Sequence, residues 1–294
     1  RVRVEGGTDE QLRTFYSCLY RSLLFPRKFY EVDKYGNIVH YSPYNGEVRR
    51  GYMYTDTGFW DTFRALFPFL NLMYPSVNKE IQEGLANSYE ESGFLPEWAS
   101  PGHRDCMVGN NSASVVADAY IKGLRGYDIE TLWEALKHGA NAHLRGTASG
   151  RLGYESYNQL GYVANNIGIG QNVARTLEYA YNDWAIYTLG KKLGKPESEI
   201  DIYKKHALNY KNVYHPERKL MVGKDNKGVF NPNFDAVDWS GEFCEGNSWH
   251  WSFCVFHDPQ GLINLMGGKK EFNAMMDSVF VIPGKLGMES RSMI

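Results

Sequence analysis

The stretch ARTLEYAYNDWAIYTLGKKLGK, residues 174–195, constrains the fold more than any other in the chain. Its apolar residues cover broad faces at helical spacing, and Gly194 and Pro196 close it, so it reads as one long helix within 170–193. The rest of the chain follows the same period. TDEQLRTFYSCLYRSLLF begins with Thr8 as N-cap and Gln11 three residues later, the pattern of a capping box. Its Leu12, Phe15, Leu19 and Leu23 form an apolar stripe. GFWDTFRALFPFLNLMY is an apolar helix kinked or broken near Pro68, and SVNKEIQEGLANSYEES an amphipathic one after Pro75. Further helices are expected in 112–124, 128–144, 197–212, 248–256 and 269–279. Segments 26–51 and 216–243 are too structured in composition to be linkers. An all-α toroid in a single domain over 1–294, with the long irregular loops building one rim, accommodates these elements.

Charge excludes several functions. With 32 basic against 34 acidic residues and no long basic run, neither nucleic acid nor a membrane surface is the expected partner. No apolar run reaches membrane-spanning length, since FRALFPFLNLMYP is broken by Arg64 and two prolines. The 21 Tyr, 15 Phe and 7 Trp are mostly core, yet such an excess of amphipathic rings also suits a groove that stacks on sugar. Cys18, Cys106, Cys244 and Cys254 show no CxxC spacing and read as small hydrophobes. The chain opens at Arg1 without Met or a signal peptide, and a piece of a longer polypeptide is expected.

Most short motifs carry little. GIGQNV lacks the last glycine and the preceding strand of a dinucleotide fingerprint. His257-Asp258 reads as a cap or turn, and GNNSAS as a helix start capped by Asn or Ser. Two clusters say more. In TDTGFWDTFR, Trp60 and Arg64 share a helix face with Asp61 adjacent, and an Asp61–Arg64 ion pair is the plain reading. In EFCEGNSWHW, Glu242 and Glu245 precede Asn247, Trp249, His250 and Trp251. A helix N-terminus lowers the pKa of Glu245, while burial against Trp249 and Trp251 raises it, so residue chemistry leaves an acid role open.

Taken together, FYSCLYRSLLFP, TDTGFWDTFRALFPFL, VGNNSASVVADAYIKG, ARTLEYAYNDWAI and EGNSWHWSFCVFHDPQGLINLMGG resemble the calcium-dependent exo-α-mannosidases of glycoside hydrolase family 92. The resemblance runs over nearly the whole chain, to about Gly268. It implies most of an (α/α)6 barrel, incomplete at its C-terminus, with the family's N-terminal β-sandwich outside this chain. It implies hydrolysis of terminal α-mannosides of N-glycans or mannans with inversion, by an acid and a base about 6.5–9.5 Å apart. By position the acid is Glu245, of the Glu-Gly-Asn motif. Asp61 in Trp-Asp-Thr contacts mannose hydroxyls with Trp60 beside it, and Asn247 and Trp249 shape the acid's pocket. Trp98 and His103 in LPEWASPGHRD are site or structural residues, and Glu242 is the rival acid.

The pattern is incomplete. The family's Gly-Asn-Glu-Pro segment, tied to calcium and sugar, and its Gly-Asn-Asp-Asp segment, which supplies the base, are missing; both are expected downstream of residue 294. The resemblance therefore implies calcium held mainly by oxygen ligands outside this chain, and no metal ligand is assigned within it. The implied partners are an α-mannoside and the remainder of the parent polypeptide, in the periplasm or outside the cell. Two other readings stand: an (α/α)6 glycosidase without calcium, or a non-catalytic glycan-binding module.

Overall fold

The long helix forms as Asn172–Leu193 and is the spine of the molecule. The structure, a computed structural model, describes residues 2–283; the terminal run GKLGMESRSMI, where the sequence was expected to break off from its parent, lies outside them. The helices are α1 (Asp9–Ser22), α2 (Phe59–Thr62), α3 (Leu66–Met73), α4 (Pro75–Ser92), α5 (Ser112–Ile121), α6 (Ile129–Ala140), α7 (Tyr154–Leu160), α8 (Asn172–Leu193), α9 (Glu197–His206), α10 (Ser248–Trp251), α11 (Pro259–Leu265) and α12 (Lys269–Val279).

Helix α8 is buried almost all round, so its two halves serve two cores. Val173, Ala174, Leu177 and Ala180 join Val108, Tyr210, Phe243 and Trp251. Ala185, Ile186 and Leu189 join Phe67, Ile81, Val116 and Trp133 from α3 to α6. Each such side chain contributes about 1.5–3 kcal/mol when fully buried, which fixes α8 against its neighbours α5, α6 and α9. The first amides of α8 are satisfied from a distant loop: the Glu242 carbonyl accepts from Val173 N at 3.0 Å and Ala174 N at 3.2 Å. That bond brings the 240s, with Glu245, to the mouth of α8.

Several sequence expectations hold. Thr8 and Gln11 form the capping box of α1. Asp258 caps α11 by accepting from Gly261 N, and accepts from the Tyr210 hydroxyl at 2.8 Å. Others are corrected. The apolar helix breaks between Thr62 and Leu66, upstream of Pro68. Pro68 itself sits in the first turn of α3, where its missing N–H costs nothing, while its ring excludes a helical carbonyl four residues earlier at Arg64. Expected helix 197–212 stops at His206 and tightens into a 3₁₀ turn over Asn209–Val213. Expected helix 248–256 is a single turn, and α7 and α11 lie where no helix was expected. The apolar stripe of α1 is not core: none of its residues is buried among the described residues.

The molecule is helix-rich rather than all-α. Its long loops must satisfy their own backbone groups, and they do so in short antiparallel pairs. β1 (Arg27–Lys28) pairs with β5 (Tyr54–Thr55), and β2 (Glu31–Val32), β3 (Ile38–Tyr41) and β4 (Val48–Arg50) form a meander. β6 (Thr57–Gly58) pairs with β7 (Trp98–Ala99), and β8 (Tyr214–His215) with β9 (Leu220–Met221). Side chains pin the first loop to α4: Tyr30 and Tyr54 hydroxyls donate to Glu80, and His40 meets Glu91 at 2.8 Å. No helix of the described residues is long and apolar enough to cross a membrane.

Candidate active site

Glu245 is held by its neighbours in a backbone conformation that an L-residue avoids, with φ 45°. Two contacts account for it. Asn247 caps α10, its side chain accepting from Trp249 N at 3.1 Å and His250 N at 3.4 Å. Trp251 then turns its indole back and donates from Nε1 to the Cys244 carbonyl at 2.8 Å. A left-handed non-glycine residue costs about 1–2 kcal/mol, and the cap and the indole bond offset it. The carboxylate projects to the surface, while Asn247 is buried and Trp249 half-buried. The indoles therefore do not bury Glu245; Trp251 stacks instead on Trp60, with ring centres 6.3 Å apart.

Trp60 and Asp61 arrive from β6 and α2. β6 lies against β7, with Gly58 opposite Trp98, and a Cβ built on Gly58 would overlap the Trp98 indole nitrogen. Glycine is needed there for the strand to pass under the indole. Arg64 does share a face with Trp60, as the spacing predicts: its guanidinium lies 5.0 Å from the ring centre. Its ion-pair partner, however, is Glu178 on α8, 3.7 Å away, and not Asp61. Asp61 is exposed and borders a cleft of about 750 Å³ with Phe15, Cys18, Thr62, Leu66 and Phe69.

Asp61 and Glu245, 184 residues apart by subtraction of their numbers, both act electrostatically on one thiol, that of Cys106. Burial pushes the Cys106 pKa up, and the negative charges of Asp61 and Glu245 push it further. The Trp60–Trp251 stack sets the segment of Asp61 beside the turn that carries Glu245 and Asn247, and Trp98 lies opposite Gly58 across the β6–β7 pair. Met107, the residue after Cys106, is left-handed at φ 63°.

His103 is engaged elsewhere. Its Nε2 meets the Ser92 hydroxyl at 2.9 Å and its Nδ1 the Ser149 hydroxyl at 2.8 Å. Burial holds its pKa down to about 4, so it is a neutral ring bridging two hydroxyls. Glu242 is also occupied. It accepts from Gly223 N at 2.9 Å, Asn231 Nδ2 at 3.1 Å and Asn165 Nδ2 at 3.3 Å, and a Cβ on Gly223 would collide with its carboxylate. Both oxygens are already taken by N–H donors, the arrangement of a loop anchor rather than of a proton donor.

Two buried carboxyls escaped the sequence reading. Glu97 performs the capping expected of GNNSAS: Asn111 makes no side-chain cap, and Glu97 takes Ser112 N at 3.0 Å, Ser112 Oγ at 2.5 Å and Asn110 Nδ2 at 2.7 Å. Burial pushes Glu97 up to about 7 against those bonds. Glu178 is likewise pushed up to about 7 by burial, opposed by Arg64 and by the Asn111 and Trp60 side chains. The one available signal for Glu178 was an acid between Leu177 and Tyr179 in a helix apolar on several faces.

Among the described residues, no group of three or more His, Cys, Asp or Glu side chains stands together to hold a metal ion.

The sequence matches the glycosyl hydrolase family 92 catalytic domain over residues 1–293. The structure is similar to that of a family 92 inverting mannosidase from Bacteroides thetaiotaomicron VPI-5482, at 52% identity and a TM-score of 0.91, covering 98% of this chain and 39% of that one. It is similar to a second family 92 α-mannosidase from Bacteroides thetaiotaomicron at 30% identity and a TM-score of 0.84, covering 95% of this chain and 36% of that one. A protein of Arthroderma benhamiae described as an uncharacterized secreted glycosidase is 27% identical over 92% of this chain and 34% of its own length. The chain thus spans between a third and two fifths of these relatives. It belongs to glycosyl hydrolase family 92, within the family's catalytic domain.

Proposed function

We propose that this chain is the acid-bearing part of the catalytic domain of an exo-α-mannosidase that releases terminal mannose with inversion. The observation that carries the reading is the Trp60–Trp251 stack, which sets the segment of Asp61 beside the turn of Glu245, while the charges of both carboxylates help raise the Cys106 pKa. A family 92 relative that is an inverting mannosidase at 52% identity supports it.

In this reading Glu245 donates a proton to the glycosidic oxygen as the bond to the anomeric carbon breaks. A water on the opposite face of the ring attacks that carbon, and a base supplied by the parent polypeptide beyond this chain takes its proton. Asp61 accepts hydrogen bonds from mannose hydroxyls, Trp60, Trp98 and Trp249 offer ring surface to the sugar, and Asn247 holds the turn that aims Glu245. His103, bridging the Ser92 and Ser149 hydroxyls, has a structural role in this reading. Glu245 is exposed in this chain, and bound sugar and the rest of the polypeptide complete its enclosure. The parent adopts the (α/α)6 toroid, is exported, and acts on N-glycans or mannans. Calcium, bound mainly by oxygen ligands outside this chain, supplies a hard positive centre for sugar hydroxyls.

The test is Glu245→Gln in the complete polypeptide. Turnover of an α-mannoside should fall by about 10²–10⁴-fold while mannose binding measured by calorimetry persists. Unchanged turnover removes Glu245 as the acid. EDTA should abolish the activity of the complete protein and calcium restore it, and the isolated 294-residue chain should release no mannose.

A further inference from the structure

Glu178 lies at the start of a series of contacts that reaches both candidate carboxylates. Its side chain is 2% exposed, on the rigid spine α8. Arg64 Nη2 stands 3.7 Å from its Oε1. The same guanidinium lies over Trp60 at 5.0 Å, and its Nε donates to the Trp60 carbonyl at 3.1 Å. Trp60 stacks on Trp251, and Trp251 donates to the Cys244 carbonyl, the peptide group that leads into Glu245. Asp61 follows Trp60 directly.

We propose that Glu178 is a positioning residue: paired with Arg64, it fixes Trp60 and, through Trp60 and Trp251, sets Asp61 and Glu245 in register. The proposal rests on the mannosidase reading above.

The alternatives for holding Arg64 are weak. Its other neighbours are the rings of Phe63 at 4.6 Å and Phe256 at 5.3 Å, which attract a cation to a face without fixing its direction. The guanidinium is partly exposed, and without an anion behind it only the bond to the Trp60 carbonyl and the ring faces oppose its turning into water. Packing alone is no reason for a carboxylate here, since an apolar side chain avoids the desolvation cost. The Trp60 indole N–H adds to the coupling. It is directed at the Glu178 carboxyl, yet Nε1 and Oε2 are both buried without a partner at full bonding distance.

The experiment uses the complete polypeptide with Glu178→Gln and Glu178→Asp. Glu178→Gln removes the charge at constant volume, and kcat per folded molecule should fall about 10- to 100-fold with a raised KM, as misplacement of reacting groups by about 1 Å does. Glu178→Asp disturbs the packing more but keeps the anion, and should recover activity relative to Gln because the long Arg64 side chain can follow it. The crystal structure of the Gln variant should show Trp60 and Asp61 displaced. Wild-type kcat and KM in Gln, Asp no better than Gln, or an unmoved Trp60 each overturns the proposal. If the unmutated protein hydrolyses no α-mannoside, the mannosidase reading fails by itself, and the position of Trp60 in the Gln variant still decides the role of Glu178.

Discussion

The Trp251 indole donates to the Cys244 carbonyl at 2.8 Å, and this bond locks the residue before Glu245 against the helix that follows it. Glu245 is thereby kept in the left-handed region. The site residue and the backbone strain coincide, which makes stability and function separable by mutation.

Glu245→Gly should remove that strain. The complete polypeptide is expected to unfold at a higher urea midpoint, by up to about 1 kcal/mol, while losing α-mannosidase turnover. Lower stability in the glycine variant would mean that the side chain contributes more to folding than its conformation costs.

Gly58→Ala should act on the other side of the site. The added Cβ overlaps the Trp98 indole across the β6–β7 pair, so either strand or indole must move. A loss of about 1–3 kcal/mol in urea unfolding is expected, with weakened mannose binding in calorimetry.

Asp183→Asn should be the most damaging single change. Arg151 and Asp183 pair at 2.8 Å with almost no exposure, between the rings of Tyr157 and Tyr179. Removing one charge strands the other, for about 3–5 kcal/mol. The double variant Arg151→Met with Asp183→Asn should recover part of that loss in the same unfolding experiment.

Stability should depend on pH in two opposed senses. His103 has a folded pKa of about 4, below its ordinary 6.5, so the unfolded chain takes up the proton first and stability falls as pH drops from 6.5 toward 4. Glu97 has a folded pKa of about 7, above its ordinary 4.5, so its contribution is present below 4.5 and is lost as pH rises to 7. Between pH 4.5 and 6.5 the two act against each other, so calorimetric Tm should rise less steeply with pH in His103→Gln and more steeply in Glu97→Gln than in the unmutated protein.

Much of the fold was legible from local signals. Thr8 with Gln11, Gly194 after Leu193, and Asp258 before Pro259 each act within a turn of themselves, and each forms as the sequence indicates. The break before Leu66 was legible in cause but displaced in position, because proline acts on the carbonyl four residues earlier.

The site divides the same way. The residue types of Trp60, Asp61, Glu245 and Asn247, and the resemblance they carry, belong to the sequence alone. Only the tertiary structure decided that Glu242 spends both oxygens on Gly223, Asn231 and Asn165, that His103 bridges Ser92 and Ser149, and that Arg64 pairs with Glu178 and not Asp61. The physical reason is range. Caps and turns are set by neighbours a few residues away, whereas a buried charge finds its partner through tertiary packing, here Glu178 of the spine α8 with Arg64 in the turn between α2 and α3.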